Sequence, residues 1–283
     1  MLSNRVVDHL RGVIEAPDLR NTKYAVIEEL GWGGMGIVYL ARDHGLGRNV
    51  ALKVLNSADE ARTLASLEHP GIVPVHDVGT LPDGRIYYAM RFVQGTRLDA
   101  FRRGTHSLAD RLRVFIRICE PVAFAHSHGL IHRDLKPENV IIGSFGEVLV
   151  LDWGVARRTD SLSATMAGTP GYMPPEQLAG ITDERTDIYA LGKVLEHLLD
   201  AADPKPVHAI AAKASDPDRI LRYSSVTELA EDAMRFLDQQ ALMAYRESPF
   251  ERASRWATRN RTFVAIILTY VLVRTMIIFF ARH

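Results

Sequence analysis

Asp134 stands in "IHRDLKPENVII" (Ile131–Ile142), directly after a basic pair, with Lys136 two residues on and Asn139 five residues on. Eighteen residues beyond Asp134 a second carboxylate, Asp152, closes the apolar run "EVLVLD" and is followed at once by Trp153 and Gly154. Upstream, "LGWGGMGIV" (Leu30–Val38) spells G-x-G-x-x-G-x-V, and fifteen residues after Val38 a lysine, Lys53, interrupts the apolar "VALKVL". Each feature has an ordinary reading by itself: a polar loop, a turn, an edge-strand lysine pointing outward. Taken together they suit phosphate chemistry. Glycines let backbone N–H groups approach phosphates without Cβ clashes, and a lysine inside an apolar strand needs an anionic partner, which phosphate oxygens plus a carboxylate supply. The glycine run is not a dinucleotide fingerprint, because strand rather than helix follows it.

These residues must be carried by regular elements, and the pattern along the chain divides in two. From Tyr24 to about Phe92 the signals are strand-like: "YAVIEEL", "GIVYLAR", "NVALKVL", "GIVPVHDV" and "IYYAMRFV", separated by Gly-, Asn- or Pro-containing turns. One short helix, "SADEARTLASLEH", interrupts them. After "QGTR" the pattern becomes helical. "LADRLRVFIRICEPVAFAHSHG" places Leu112, Phe115, Ile116 and Cys119 at three- and four-residue steps and stops at Gly129. A short strand pair, "NVIIG" and "VLVLD", follows, then loops and helix to about Gln240. The fold expected is α+β and bilobal, a small β-rich N-lobe (about 24–93) feeding a larger helical C-lobe (about 94–240), after an N-terminal extension over 1–23.

Composition is that of an ordinary globular chain, 47% hydrophobic and 24% charged, with no formal net charge and hence no electrostatic case for a nucleic-acid partner. Cys119 is the only cysteine, which excludes an intrachain disulfide and fits a reducing compartment. Arg5, Asp8, Arg11 and Glu15 break up the first residues and argue against a secretory signal. The last segment differs in kind. "FVAIILTYVLVRTMIIFFA" (263–281) carries one charge, Arg274, and as a helix would be about 28 Å long, close to the thickness of a bilayer's hydrocarbon core. Its twelve Leu, Ile, Val and Phe residues, at about −0.3 to −0.6 kcal/mol each, outweigh a central Arg at about +2.5 to +3.5 kcal/mol. A single-pass transmembrane helix is expected there, a buried C-terminal helix being the alternative. Arg252, Arg255, Arg259 and Arg261 in a basic juxtamembrane linker (241–262) outnumber Arg282 and His283 beyond it, which places the main domain on the cytoplasmic side of the cell membrane.

The combination of H-R-D-L-x-x-x-x-N, Asp-aromatic-Gly and a "PPE" ending at Glu176 resembles the eukaryotic-type (Hanks-type) serine/threonine protein kinases that bacteria carry, from about Tyr24 to Leu237. The resemblance implies an ATP-dependent enzyme using Mg²⁺ or Mn²⁺ and acting on Ser and Thr hydroxyls of cytoplasmic proteins, itself included. By the same resemblance Leu30, Gly31, Gly33, Gly34 and Gly36 cover the ATP phosphates, and Lys53 holds the α- and β-phosphates. Val38, Ala51, Met90 and Ile141 sandwich the adenine, with the backbone up to Val93 reading its edge. Asp134 orients and deprotonates the substrate hydroxyl, Lys136 neutralises the transferred group, and Asn139 and Asp152 hold the metal. "DLKPEN" and "GTPGYMPPE", with Thr169, match the serine/threonine rather than the tyrosine branch. Asp187 is expected to brace the catalytic loop and Arg222 to pair with Glu176. Arg133 points to control by phosphorylation, with Ser161, Ser163 and Thr165 as acceptors, and a homodimer would allow this in trans.

Three departures qualify the match. Glu60, the counterpart of the family's helix glutamate, follows Lys53 by only seven residues, and "SADE" from Ser57 also reads as a capping box, so Glu60 is a lysine partner, a cap, or switches between the two. The interval from Asp187 to Arg222 is short for the helices that help dock substrates. Trp153 stands where the family has Phe, and its N–H needs a partner. A membrane-tethered scaffold that binds nucleotide with little catalysis is the alternative function. Loss of Lys53, Asp134 or Asp152 would favour it, and all three are present.

Overall fold

The computed structural model describes residues 17–33, 36–55, 59–153, 156–158 and 168–281. Five antiparallel strands build the first lobe: β1 (Tyr24–Gly33), β2 (Gly36–Asp43), β3 (Arg48–Leu55), β4 (Val75–Thr80) and β5 (Ile86–Arg91), in the order β1-β2-β3-β5-β4. Position in the sheet explains the composition of each strand. β3 lies inside and is buried on both faces from Val50 to Leu55, so every residue of that run but Lys53 is apolar. β4 is an edge strand and alternates between half-buried and exposed residues, which is why it tolerates His76, Asp77 and Thr80. The expected "GIVPVHDV" strand starts late, at Val75, because Gly71 and Ile72 serve another purpose. Ile72 bridges to Val150 of the second lobe, and a Cβ on Gly71 would lie 2.9 Å from the Pro121 ring.

Helix α1 (Asp59–Ala65) is shorter than its sequence pattern, since the amides of Ser66 and Leu67 fold back onto Arg62, Thr63 and Leu64 and tighten the last turn. Residue 57, and with it the expected capping box, lies outside the described residues. The second lobe is built on α3 (Leu108–Ser127), after the short α2 (Leu98–Arg102). The Ser107 side chain caps the start of α3 by accepting from the Asp110 amide, and the helix stops before Gly129, whose φ of +70° a Cβ would disfavour. Against it pack α5 (Glu184–Leu198) and α7 (Val226–Leu237), with α6 (Lys205–Ala214) packed on those two; all follow the one-turn α4 (Pro175–Leu178). The strand pair expected near Val140 is there, β8 (Val140–Gly143) with β9 (Val148–Val150), and β6 (Gly95–Arg97) joins it as a third strand. A two-residue strand β7 (Leu130–Ile131) pairs with β10 (Arg157–Arg158).

One apolar core runs through the second lobe and up into the first: Ala61 and Leu64 of α1, Leu55 and Tyr88 of the sheet, Trp153, and the inner faces of α3, α5, α6 and α7 belong to it. A smaller cluster on the far side of the sheet holds Tyr24, Tyr39, Leu52 and Tyr87. At the end of the chain, α8 (Pro249–Arg259) and α9 (Arg261–Ala281) follow. Among the described residues no single helix is long and apolar enough to cross a membrane. The segments 249–258 and 262–277 meet that test only together, as a pair bent by 92°.

Candidate active site

Register decides which side chains share the underside of the sheet. Val38 is paired with Lys53 across β2 and β3, Lys53 with Tyr88 and Ala51 with Met90 across β3 and β5. Directly opposed residues lie on one face, and residues two apart in a strand do as well. Val38, Ala51, Lys53, Tyr88 and Met90 therefore form one surface. Ile141 lies in β8 below, and Val93 in the link between β5 and β6. Leu30 sits near the end of β1, partly exposed. Two glycines of the β1–β2 hairpin have different reasons to be there. A Cβ on Gly36 would lie 2.2 Å from the Val54 carbonyl oxygen at a φ of +138°, so the backbone requires glycine. A Cβ on Gly31 would meet nothing within 4 Å among the described residues. Gly33 pairs with Gly36 at the hairpin end, and Gly34 lies outside the described residues.

Lys53 is buried, and its Nζ donates to Glu60 Oε1 and to Asp152 Oδ1, both at 2.7 Å. The Tyr88 hydroxyl donates to the same Glu60 oxygen at 2.7 Å. Burial would lower the Lys53 pKa, but attraction to Asp152 and Glu60 outweighs it and holds the ammonium above its ordinary value. Burial likewise disfavours the charge on Asp152, yet Lys53 beside it keeps that carboxyl below its ordinary value. Asp152 adopts a φ of +60°, a conformation that costs a non-glycine residue energy and that aims its carboxylate back at Lys53. The adjacent Trp153 is fully buried. Its indole N–H donates to the Val150 carbonyl at 3.2 Å, and its ring lies 4.6 Å from that of His132.

The second half of the site hangs on Asp187, wholly buried in the first turn of α5. Its carboxylate accepts from the His126 ring and from the amides of His132 and Arg133, each at 2.8 Å. Those two amides fix the loop, with Arg133 at a φ of +71° and its carbonyl accepting from Gln177. Asp134 thereby projects beside Lys136, whose Nζ lies 2.7 Å from Asp134 Oδ2 and 2.6 Å from Thr169 Oγ1. The Thr169 hydroxyl donates in turn to Asp134 Oδ1 at 2.7 Å. Asn139 spends its amide N–H on the Asp134 carbonyl at 2.9 Å, which leaves the other amide atom an acceptor of the type a hard cation takes. Below, Arg222 and Glu176 form a two-pronged ion pair at 2.5 and 2.9 Å. Ser161, Ser163 and Thr165 lie outside the described residues.

The oxygen donors of Asp152 and Asn139 fit Mg²⁺ or Mn²⁺. Among the described residues no group of three or more His, Cys, Asp or Glu side chains forms a metal cage. A magnesium ion held by one carboxylate, an amide oxygen, phosphates and water needs none. No local sequence pattern marks Tyr88, His126 or Gln177 as site residues. Tyr88 could be found only through its register against Lys53, and the other two sit in unremarkable helical segments. The motif marks Thr169, but its bridge between Asp134 and Lys136 exists only once the loop folds back.

A five-stranded sheet over a helical lobe, with Lys53, Glu60 and Asp152 joined above a loop carrying Asp134, Lys136 and Asn139, defines a protein kinase fold. The family profile of the protein kinase domain matches residues 24–253, and the chain belongs to that family. It is similar to serine/threonine-protein kinase PknD of Protochlamydia amoebophila, 37% identical over 229 residues that cover 64% of this chain and 23% of that protein. It is also similar to the PknD proteins of Chlamydia trachomatis serovar D, 35% identical over 235 residues (64% and 25%), and Chlamydia abortus, 32% identical over 298 residues (83% and 32%). The chain thus spans about a quarter to a third of the length of these relatives.

Proposed function

We propose that the chain is a protein-serine/threonine kinase that transfers the γ-phosphoryl group of ATP to Ser and Thr hydroxyls of cytoplasmic proteins and to its own activation segment. The observation that carries this reading is the cluster of Asp134, Lys136 and Thr169 beneath the Lys53–Asp152–Glu60 contact. Phosphoryl transfer calls for positioning and charge neutralisation more than for covalent help. Asp134 orients the incoming hydroxyl and takes its proton as the new O–P bond forms. Lys136 offsets the charge on the transferred group, and ADP leaves. Lys53, already desolvated and held by two carboxylates, binds the α- and β-phosphate oxygens. Asp152 and Asn139 hold the divalent cation, which when bound neutralises phosphate charge. Val38, Ala51, Met90 and Ile141 flank the adenine. The match of "DLKPEN" and the names of the PknD relatives support the serine/threonine class.

The apolar segment 263–281 anchors the kinase domain to the cytoplasmic face of a membrane. In support, most of the described large apolar side chains of this helix, among them Phe263, Ile266, Leu268, Leu272 and Ile277, are exposed. Incubating the full-length chain with labelled ATP, Mg²⁺ and a general protein substrate, beside Asp134→Asn and Lys53→Met, tests the activity. Label is expected in the wild type alone. Equal label in all three would overturn the reading, and nucleotide binding without transfer would favour a scaffold.

A further inference from the structure

Helix α8 is not a loose tether. Asp232, fully buried in α7, accepts from the amides of Met243 and Ala244 at 2.7 and 2.9 Å and from the Tyr223 hydroxyl at 2.8 Å, which fastens the chain leaving α7 to the second lobe. Glu247 receives Arg255 through both prongs at 2.6 and 2.8 Å, and Arg255 also reaches the Gln239 carbonyl at 3.2 Å. Tyr245 donates to Glu251 at 2.8 Å, and Ser248 and Glu251 close a capping box at the start of the helix. The helix is therefore stitched to the lobe on its inner side.

Its other side is left open by the described residues. Phe250 is 83% exposed, Trp256 is 53% exposed and Ala253 is exposed as well. At 100° per residue, Pro249, Ala253, Ala257, Phe250 and Trp256 fall within one arc of about 120°, with an aromatic residue at each edge. Arg252 adjoins the Trp256 edge, and an open cleft of about 490 Å³ is lined by Glu247, Pro249, Arg252, Ala253 and Trp256. Both glutamates here are engaged within the protein, Glu247 by Arg255 and Glu251 by Ser248 and Tyr245. Arg246 and Arg252 are exposed. From residue 246 to 261 the chain has five arginines against two glutamates. The apolar α9 leaves at 92° to α8, and Phe263 packs edge-on to Trp256 at 6.3 Å across the corner.

We propose that α8 is an interfacial helix that lies flat on an anionic lipid surface, Phe250 and Trp256 sunk at the acyl boundary and Arg252 on a headgroup phosphate in the cleft beside it. This rests on the reading of 263–281 as a membrane anchor. A right-angle corner puts α8 in the membrane plane when α9 stands along the normal. An exposed apolar arc with aromatic edges beside arginines is the surface that such an interface selects. Because α8 is clamped to the second lobe, the contact would hold the catalytic domain at a set orientation instead of letting it swing.

The test uses the full-length chain in vesicles of phosphatidylcholine alone or phosphatidylcholine mixed with phosphatidylglycerol, either lipid set brominated near the carbonyl end of the acyl chain. Trp256 emission, taken as the difference between wild type and Trp256→Phe, is expected to be quenched in the anionic vesicles. Arg252→Glu is expected to lose most of that quenching while its phosphotransfer rate in detergent stays normal. Flotation separates the two readings. A chain that floats in both vesicle types with Trp256 unquenched keeps the anchor and overturns the interfacial helix. A chain that floats only with anionic vesicles and is released by salt keeps the helix and overturns the anchor. Concentration-dependent burial of Trp256 in lipid-free detergent would mean that a second copy covers this face, and would overturn the proposal.

Discussion

Glu60 Oε1 lies 2.7 Å from Lys53 Nζ, Glu60 being carried by helix α1 and Lys53 by strand β3. The short interval between the two residues is sufficient, and the Tyr88 hydroxyl steadies the same oxygen from the neighbouring strand. Glu60→Gln is expected to slow turnover by at least about tenfold, equivalent to ~1.4 kcal/mol of barrier, in a steady-state assay of the full-length chain. Tyr88→Phe removes one bond to that oxygen and should lower stability by about 1 kcal/mol with turnover little changed. A normal rate for Glu60→Gln would reduce Glu60 to a helix-start residue.

Thr169 joins Asp134 to Lys136, and its hydroxyl is the only part of the side chain used for this. Thr169→Ser is therefore expected to keep near-wild-type turnover, whereas Thr169→Ala leaves Asp134 freer to rotate and lowers kcat with little change in the KM for ATP. Comparable kcat values for the two variants would remove Thr169 from the machinery.

Asp187 supplies a pH dependence with a definite sign. Burial disfavours its charge, but the His126 ring, the attraction of His126 and His132, and the Arg133 amide outweigh burial and hold the carboxyl below its ordinary value. Unfolding raises that pKa, so the contribution is present above the ordinary carboxylate value and lost as pH falls through the folded one. Thermal melts across the acid range should show Asp187→Asn less stable at neutral pH by about 1–3 kcal/mol, with a shallower acid limb. Asp152, held low by Lys53, keeps part of that limb in the variant. An unchanged acid slope would mean that Asp187 is not ionised in the fold.

Arg222 is buried, and it also donates to the carbonyls of Asp216 and Arg185. Arg222→Met strands the nearly buried Glu176 and is expected to cost about 3–5 kcal/mol in urea unfolding. Glu176→Gln with Arg222→Met should recover part of the loss, since the uncompensated charge is gone. Additive losses would show that the pair is not coupled.

Trp153 satisfies its N–H on Val150. Trp153→Phe gives up that bond and some packing, so about 1–2 kcal/mol of stability should go, while the phosphotransfer rate stays within a few-fold of wild type. A rate collapse would show that the indole itself holds Asp152 in place.

The two-lobe order could be read along the chain because it rests on local periodicity: alternating and continuous apolar runs to Phe92, three- and four-residue steps after Leu108. The loop from His132 to Asn139 and the carboxylate at Asp152 could be read because their spacing survives without any fold. Side-chain pairing could not, since it depends on register and packing between distant segments. Tyr88 reaches Glu60 only because β5 lies beside β3, and His126 meets Asp187 across 61 residues because α3 packs on α5. The same division holds at the end of the chain. Composition alone marks 263–281 as apolar, but the 92° corner after α8 and the clamps from Asp232 and Glu247 exist only once the helices have packed, because hydrogen bonds between segments are made by geometry that no local pattern encodes.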